Sequence, residues 1–210
     1  FLMNLVFPQI RKLFSFLLVG EFGLGKNKTF EIFKILVESF KNFQLIAIAG
    51  RNKKMKELFL EFINKKNRIK DIKILEYTNR IPELMSISDV VITKPGGLTS
   101  SESLVSGLPM IIINPLPGQE EQNATFLENA GVAVWLKKSD KIIDVLSSTL
   151  NSASKLYNMH ENALLLAKPN ATQNICEILL KRLKYEIHLH LDFNTNFFYL
   201  CLLNGDISNI

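Results

Sequence analysis

Apolar positions along the chain follow two rhythms. Short apolar-rich runs occur at residues 14–19, 43–49, 72–75, 89–93, 110–113 and 132–136. They read as β-strands, because runs this short bounded by turn residues fit buried strands. Between and after them, apolar residues recur every three or four positions. That spacing predicts helices over 28–40, 53–66, 81–87, 99–106, 120–130, 139–151, 153–167 and 171–184. Phe30, Phe33, Ile35, Leu36 and Val37 give the first helix a buried face; Met55, Leu58, Phe59 and Phe62 do so for the second. Pro82 suits a first helical turn, and Gly107, Pro109 and Gly131 suit helix ends.

Strands that alternate with helices imply βαβ units. The expected fold is therefore α/β: a doubly wound, Rossmann-like parallel sheet of about six strands with helices on both faces. Such sheets bind ligands beyond the carboxyl ends of their strands, near the point where the strand order reverses. The loops of interest are thus 20–25, 50–53, 76–80, 94–99 and 114–122. The organisation expected is an atypical segment at 1–13, one domain at 14–183 and an atypical tail at 184–210. From Tyr185 on, the tail is rich in Phe, Leu and Asn and shows no helical period. It reads as a β-hairpin turning near Asn194 or as an extension foreign to the fold. The chain starts at Phe1, which suggests a processed protein or a fragment.

Composition narrows the function classes. The 210 residues are 47% hydrophobic and carry a formal net charge of +5, ample for a core and only mildly basic. Lysines concentrate at 53–56 and 65–70, which fits a solvated surface or attraction to an anionic membrane or to phosphate. No tight basic stripe with stacking aromatics is present, so nucleic acid is not an expected partner. Cys176 and Cys201 form no metal or redox pattern, and a reducing cytoplasm is the default. His188 and His190 fit a surface strand better than a metal site, and His160 stands alone. No apolar run is long enough to span a bilayer. Residues 1–19 include Pro8, Arg11 and Lys12 and lack a cleavage site, so they do not read as a signal peptide. Membrane attachment, where it occurs, is expected to be peripheral.

Three stretches carry candidate chemistry. The first runs from Asp89 to Glu102 and contains Lys94-Pro95-Gly96-Gly97-Leu98-Thr99. Glycines between a strand and a helix let a ligand reach the backbone, and free helix-start amides favour phosphate. A plain strand-turn-helix connection accounts for the same glycines. Thr99-Ser100-Ser101-Glu102 also matches a capping box, with Thr99 as cap and Glu102 reaching back in the first turn. On pattern alone that reading outweighs the functional one, in which the Glu102 carboxylate accepts from both hydroxyls of a ribose. The second stretch, Pro115 to Ala124, sets Gln119, Glu120, Glu121, Gln122 and Asn123 behind a proline-stiffened loop. These amides and carboxylates suit sugar hydroxyls, and equally a polar helix start. The third, Gly20 to Gly25, is a weaker phosphate-loop signal, because Lys26 is followed by Asn27 and Glu21 is acidic.

Together these stretches resemble the C-terminal domain of the family 28 glycosyltransferases over about residues 14–183. Thr93-Lys94-Pro95-Gly96-Gly97-Leu98-Thr99, Glu102, Pro117-Gly118-Gln119-Glu120 and Asn123-Ala124 carry the likeness. Within the family it is most similar to processive diacylglycerol glucosyltransferases and plant-type monogalactosyldiacylglycerol synthases. It is less similar to the N-acetylglucosaminyltransferase that completes the peptidoglycan lipid precursor. The resemblance implies the C-terminal half of a two-domain GT-B enzyme, which binds a UDP-sugar while a missing N-terminal domain binds the lipid acceptor and supplies the base. Glu102 would then hold the ribose. Gln119 and Glu120, with Asn123 in support, would address the donor sugar. Tyr77 and Thr78 would meet uracil, and Gly96, Gly97, Leu98 and Thr99 the diphosphate. Phe22, Gly23 and Gly25 would form a second phosphate loop, although Val19-Gly20-Glu21 replaces the family's usual run of glycines. The expected reaction is an inverting, metal-free hexosyl transfer to a membrane lipid such as diacylglycerol. No cofactor is expected besides the UDP-hexose substrate, no catalytic residue is assigned to this chain, and the expected location is the inner face of the cell membrane. The N-acetylglucosaminyltransferase of the peptidoglycan lipid precursor, a donor-binding subunit, an inactive remnant and a UDP-sugar epimerase remain the other readings.

Overall fold

The computed structural model describes residues 14–18, 26–40, 43–67 and 71–191. Six strands form one sheet: β1 (Phe14–Leu18), β2 (Gln44–Ile48), β3 (Ile72–Leu75), β4 (Val90–Thr93), β5 (Met110–Ile112) and β6 (Ala133–Trp135). Every pairing is parallel and the order is β3-β2-β1-β4-β5-β6. The helices are α1 (Lys26–Ser39), α2 (Lys53–Lys65), α3 (Ile81–Ser86), α4 (Gly97–Val105), α5 (Gln119–Asn129), α6 (Ile142–Leu150), α7 (Ala153–Leu166) and α8 (Ala171–Leu191). The expected parallel, doubly wound sheet of six strands is what the chain forms.

Alternate residues of the strands feed two separate cores, which is why the strands read as continuous apolar runs. On one face Leu45 and Ala47 of β2 and Val90 and Ile92 of β4 pack with Phe33 and Leu36 of α1, Phe59 of α2 and Leu146 of α6. On the other, Ile46, Ile48, Val91 and Met110 pack with Met85 of α3, Leu127 of α5 and Ala163 of α7. The rings of Phe33 and Phe59 stack with centroids 4.0 Å apart and join α1 to α2. The buried stripe of α2 is Met55, Phe59 and Ile63, a strict four-residue repeat. Leu58, expected to point inward, is exposed because it falls outside that repeat.

Helix α7 pins the ends of two neighbours. Gly107 O, just past α4, accepts a hydrogen bond of 2.6 Å from His160 Nδ1. Gly131 O, just past α5, accepts from Asn162 Nδ2 at 3.2 Å. Both glycines have positive φ, 61° and 69°, so they close their helices as left-handed caps.

The chain divides into two compact units, Phe1–Lys168 and Pro169–Ile210. In the second, α8 continues to Leu191. Residues 185–191, expected to be irregular or a hairpin strand, are therefore helical, and so are His188 and His190. A helix already nucleated at Ala171 extends at low cost when no Gly or Pro intervenes, even through alternating apolar and polar residues. The proposed turn at Asn194 lies outside the described residues. Ile175, Ile178, Leu179, Leu180, Leu183 and Cys176 of α8 are exposed.

Candidate functional site

The strand order reverses between β1 and β4, which opens a crevice at their carboxyl ends. Four described loops border the crevice or its flanks: those after β4, β5, β2 and β3. The glycine-rich segment after β1, with Phe22, Gly23 and Gly25, lies outside the described residues.

The chain leaves β4 through Lys94, buried Pro95 and Gly96, and α4 starts at Gly97. Gly96 caps the helix with φ −67° and ψ 149°, extended backbone open to any residue, and gives no side-chain hydrogen bond. Among the described residues, a Cβ added at Gly96 or Gly97 would meet nothing within 4 Å. Neither backbone conformation nor the packing of the described residues therefore demands glycine at these positions. The first intrahelical bond runs from Ser100 N–H to Gly96 O at 2.9 Å. The amides ahead of it face an opening with no capping side chain, the arrangement that suits an anion.

This geometry overturns the capping box. The helix starts two residues before Thr99, so Thr99 is its third residue and Glu102 its sixth. Thr99 O accepts from Ser103 Oγ at 2.7 Å, an ordinary within-helix contact. Glu102 is exposed in the second turn, too far along to reach back to the cap amide. It lies four residues after Leu98, which is 84% exposed, so the two share one outer face of α4.

The loop after β5 is built differently. Asn114 and Gly118 have positive φ, 44° and 95°, so the chain turns sharply twice around Pro115 and Pro117. Glu120 Oε2 accepts from Leu116 N–H at 2.7 Å and closes the loop on itself. Asn123 Nδ2 donates to Pro95 O at 2.9 Å and ties α5 to the β4 loop. Glu120 and Asn123 thus each spend one polar atom on the scaffold and keep another. Gln119 is exposed at the start of α5.

Tyr77 and Thr78 follow β3. Thr78 Oγ1 accepts from Arg80 N–H at 3.1 Å. Tyr77 is 69% exposed, and the Arg51 guanidinium lies 5.7 Å from its ring centroid. Lys56 Nζ bonds Glu76 Oε1 at 2.7 Å and holds this loop against α2. The same ammonium keeps the Glu76 carboxyl below the usual carboxylate range, by hydrogen bond first and by charge second. Arg51 was not singled out from sequence; its only signal was its place after Gly50 at the end of β2. Gly96, Gly97, Leu98, Thr99, Glu102, Gln119, Glu120 and Asn123 thus belong to two adjacent, hydrogen-bonded loop-helix units. Tyr77 and Thr78 stand three strand spacings from β4, about 14 Å laterally, and join the same site only through a ligand that reaches across β2 and β1.

Residues 26–175 match the model of the glycosyltransferase family 28 C-terminal domain. The chain belongs to glycosyltransferase family 28. All the site residues after α1 fall within the matched span. The chain is 35% identical over 165 residues to a processive diacylglycerol beta-glucosyltransferase of Bacillus subtilis, covering 79% of this chain and 42% of that protein. It is 38% identical over 164 residues to the protein of that name from Staphylococcus epidermidis, covering 77% and 40%. This family 28 domain thus spans about two fifths of the length of these relatives. The crystal structure of Acinetobacter baumannii MurG shares its fold, with a TM-score of 0.65 at 21% identity over 81% of this chain and 52% of that one.

Proposed function

We propose that this domain binds the UDP-hexose donor of a glycosyltransferase that modifies a membrane lipid. The observation that carries the donor reading is the opening at Gly96 and Gly97. Glycine is required there by neither φ nor the packing of the described residues, and space beside helix-start amides suits a diphosphate. Glu102, exposed on the adjoining turn, accepts from the ribose hydroxyls. Gln119 and Glu120 address the hexose, and Asn123 holds the two loops together. Tyr77 and Thr78 receive the uracil end, with Arg51 stacked beside them. The segment with Phe22, Gly23 and Gly25 supplies a further phosphate contact.

In this reading the acceptor hydroxyl loses its proton to a base in the other half of the enzyme. It attacks the anomeric carbon, configuration inverts, and UDP departs. This domain stabilises the charge growing on the diphosphate through the α4 amides, without a metal. The relatives' names support glucose as the hexose and diacylglycerol as the acceptor. Among the described residues no helix is long and apolar enough to cross a membrane. Work on a membrane lipid from the cytoplasmic side is assigned to peripheral contact on the strength of the net charge of +5. The likeness to MurG concerns fold alone and gives no weight to transfer of N-acetylglucosamine.

Two measurements test this reading. Calorimetric titration of UDP into the 210-residue chain is expected to show one saturable site; no heat at millimolar UDP counts against it. Transfer from UDP-glucose to diacylglycerol is expected only when an acceptor half is supplied in trans. Repeated turnover by the chain alone would contradict the division of labour.

A further inference from the structure

Helix α4 holds three serines, and two of them are satisfied within the helix. Ser101 Oγ donates to Gly97 O at 2.8 Å, and Ser103 Oγ donates to Thr99 O at 2.7 Å. Each bond runs to the carbonyl four residues back, the usual acceptor for a helical hydroxyl. Ser100 has the same choice and does not take it. Gly96 O accepts from the Ser100 amide at 2.9 Å, yet the Ser100 hydroxyl has no hydrogen-bond partner among the described residues. Ser100 is nevertheless buried, with 7% of its surface exposed. A buried hydroxyl left unpaired costs stability, so it calls for a partner that the free chain does not supply.

The position of Ser100 selects the chemistry of that partner. Ser100 and Ser103 are the buried residues of α4, three apart on its inner side. Ser100 is the fourth residue of the helix and belongs to its first turn. Helical side chains lean toward the N-terminus and lie over the preceding turn. For Ser100 that turn is Gly96 and Gly97, which carry no side chain to block an approach. The hydroxyl thus borders the helix-start opening from the inner side, opposite the face that carries Leu98 and Glu102. Rotation about Cα–Cβ moves Oγ between staggered positions, so a ligand entering over the glycines can draw it in. The backbone groups at this opening are amide donors at the positive end of the helix dipole. A sugar hydroxyl needs acceptors as well as donors, whereas a phosphate oxygen is served by donors alone.

We infer that the Ser100 hydroxyl donates to a phosphate oxygen of the ligand held by the α4 amides and is a further residue of the UDP site. The inference rests on the donor reading. The diphosphate then meets the helix start through backbone amides and through one side chain on the buried side. It also accounts for the hydroxyl being unpaired in the free chain. A serine tied to Gly96 O would have to break that bond before it could serve a ligand.

UDP is titrated by calorimetry into the 210-residue chain, Ser100→Ala and Ser103→Ala, and the thermal unfolding of each is recorded without ligand. Ser100→Ala is expected to bind UDP about tenfold more weakly, the loss of one hydrogen bond to a charged group. It should unfold at the parent's temperature or higher, because it deletes an unpaired buried group and not a bond. Ser103→Ala deletes a satisfied bond in the same stripe. It should unfold at a lower temperature and bind UDP as the parent does. Weaker UDP binding together with a lower unfolding temperature in Ser100→Ala would make its hydroxyl part of the fold and overturn the inference. An equal loss of UDP affinity in Ser103→Ala would overturn it as well. If the parent and Ser100→Ala bind UDP alike, the inference fails and the donor reading stands. If the parent binds no UDP, the donor reading falls and takes the inference with it.

Discussion

The two ends of α4 both carry glycine, for opposite reasons. At the C-terminal end Gly107 has φ +61°, and an added Cβ would lie 2.6 Å from His160 Cε1. Conformation and packing both require it. At the N-terminal end Gly96 has ordinary extended backbone, and neither it nor Gly97 has any neighbour within 4 Å of an added Cβ. The packing of the described residues leaves those two glycines unexplained. One end of the helix is closed by α7, and the other is left open where the strand order reverses. A glycine that the surrounding fold requires and one that it does not look alike in sequence and differ in what surrounds them.

The largest effect expected from this contrast is at the closed end. Gly107→Ala incurs left-handed strain and displaces the His160 ring, so it should lower unfolding stability by about 2 kcal/mol or more in denaturant titrations. UDP affinity of the folded fraction should stay the same. A variant as stable as the parent would show that the α4–α7 contact is looser than described.

A smaller effect is expected on the open side, one turn on. Glu102→Gln removes a charged acceptor whose hydrogen bonds are each worth about 1.5–3 kcal/mol. UDP binding should weaken by about tenfold or more, while the melting temperature stays within about a degree, because surface changes of this kind move stability little. Equal UDP affinity in parent and variant would remove Glu102 from the site.

The smallest effect sharpens the correction at Thr99. A helix cap lost to alanine costs about 1 kcal/mol. Thr99 is instead the third residue of α4, so Thr99→Ala should change stability by less than about 0.5 kcal/mol. A full cap-sized loss in thermal unfolding would restore the capping box and shift the helix start.

Most of the fold was legible in the sequence, because strands buried on both faces announce themselves as unbroken apolar runs. The four helices α4 to α7 past the β4 loop were placed within three residues, because Gly107, Gly131 and Pro169 punctuate them. Three features were not legible. The start of α4 was misplaced because Thr99 and Glu102 satisfy a capping pattern that two preceding glycines do not exclude. Leu58 was read as inward because three-residue and four-residue spacings compete until a partner helix fixes the register. Residues 185–191 alternate like a strand and are helical because α8 runs into them. At the site, the loops were legible but their internal ties were not. The bonds from Asn123 to Pro95 O and from Glu120 to Leu116 N–H join residues whose contact only the folded chain reveals.

The most direct test of the account is Gly97→Ala, measured for UDP affinity and unfolding stability on the same sample. The added methyl meets no atom of the described residues within 4 Å. Replacing glycine by alanine at a compatible position stabilises by about 0.4–1 kcal/mol. The account expects a variant at least as stable as the parent that binds UDP about tenfold more weakly, because the methyl occupies space kept for the diphosphate. A variant that binds UDP as tightly as the parent would contradict the claim that this opening is a ligand site.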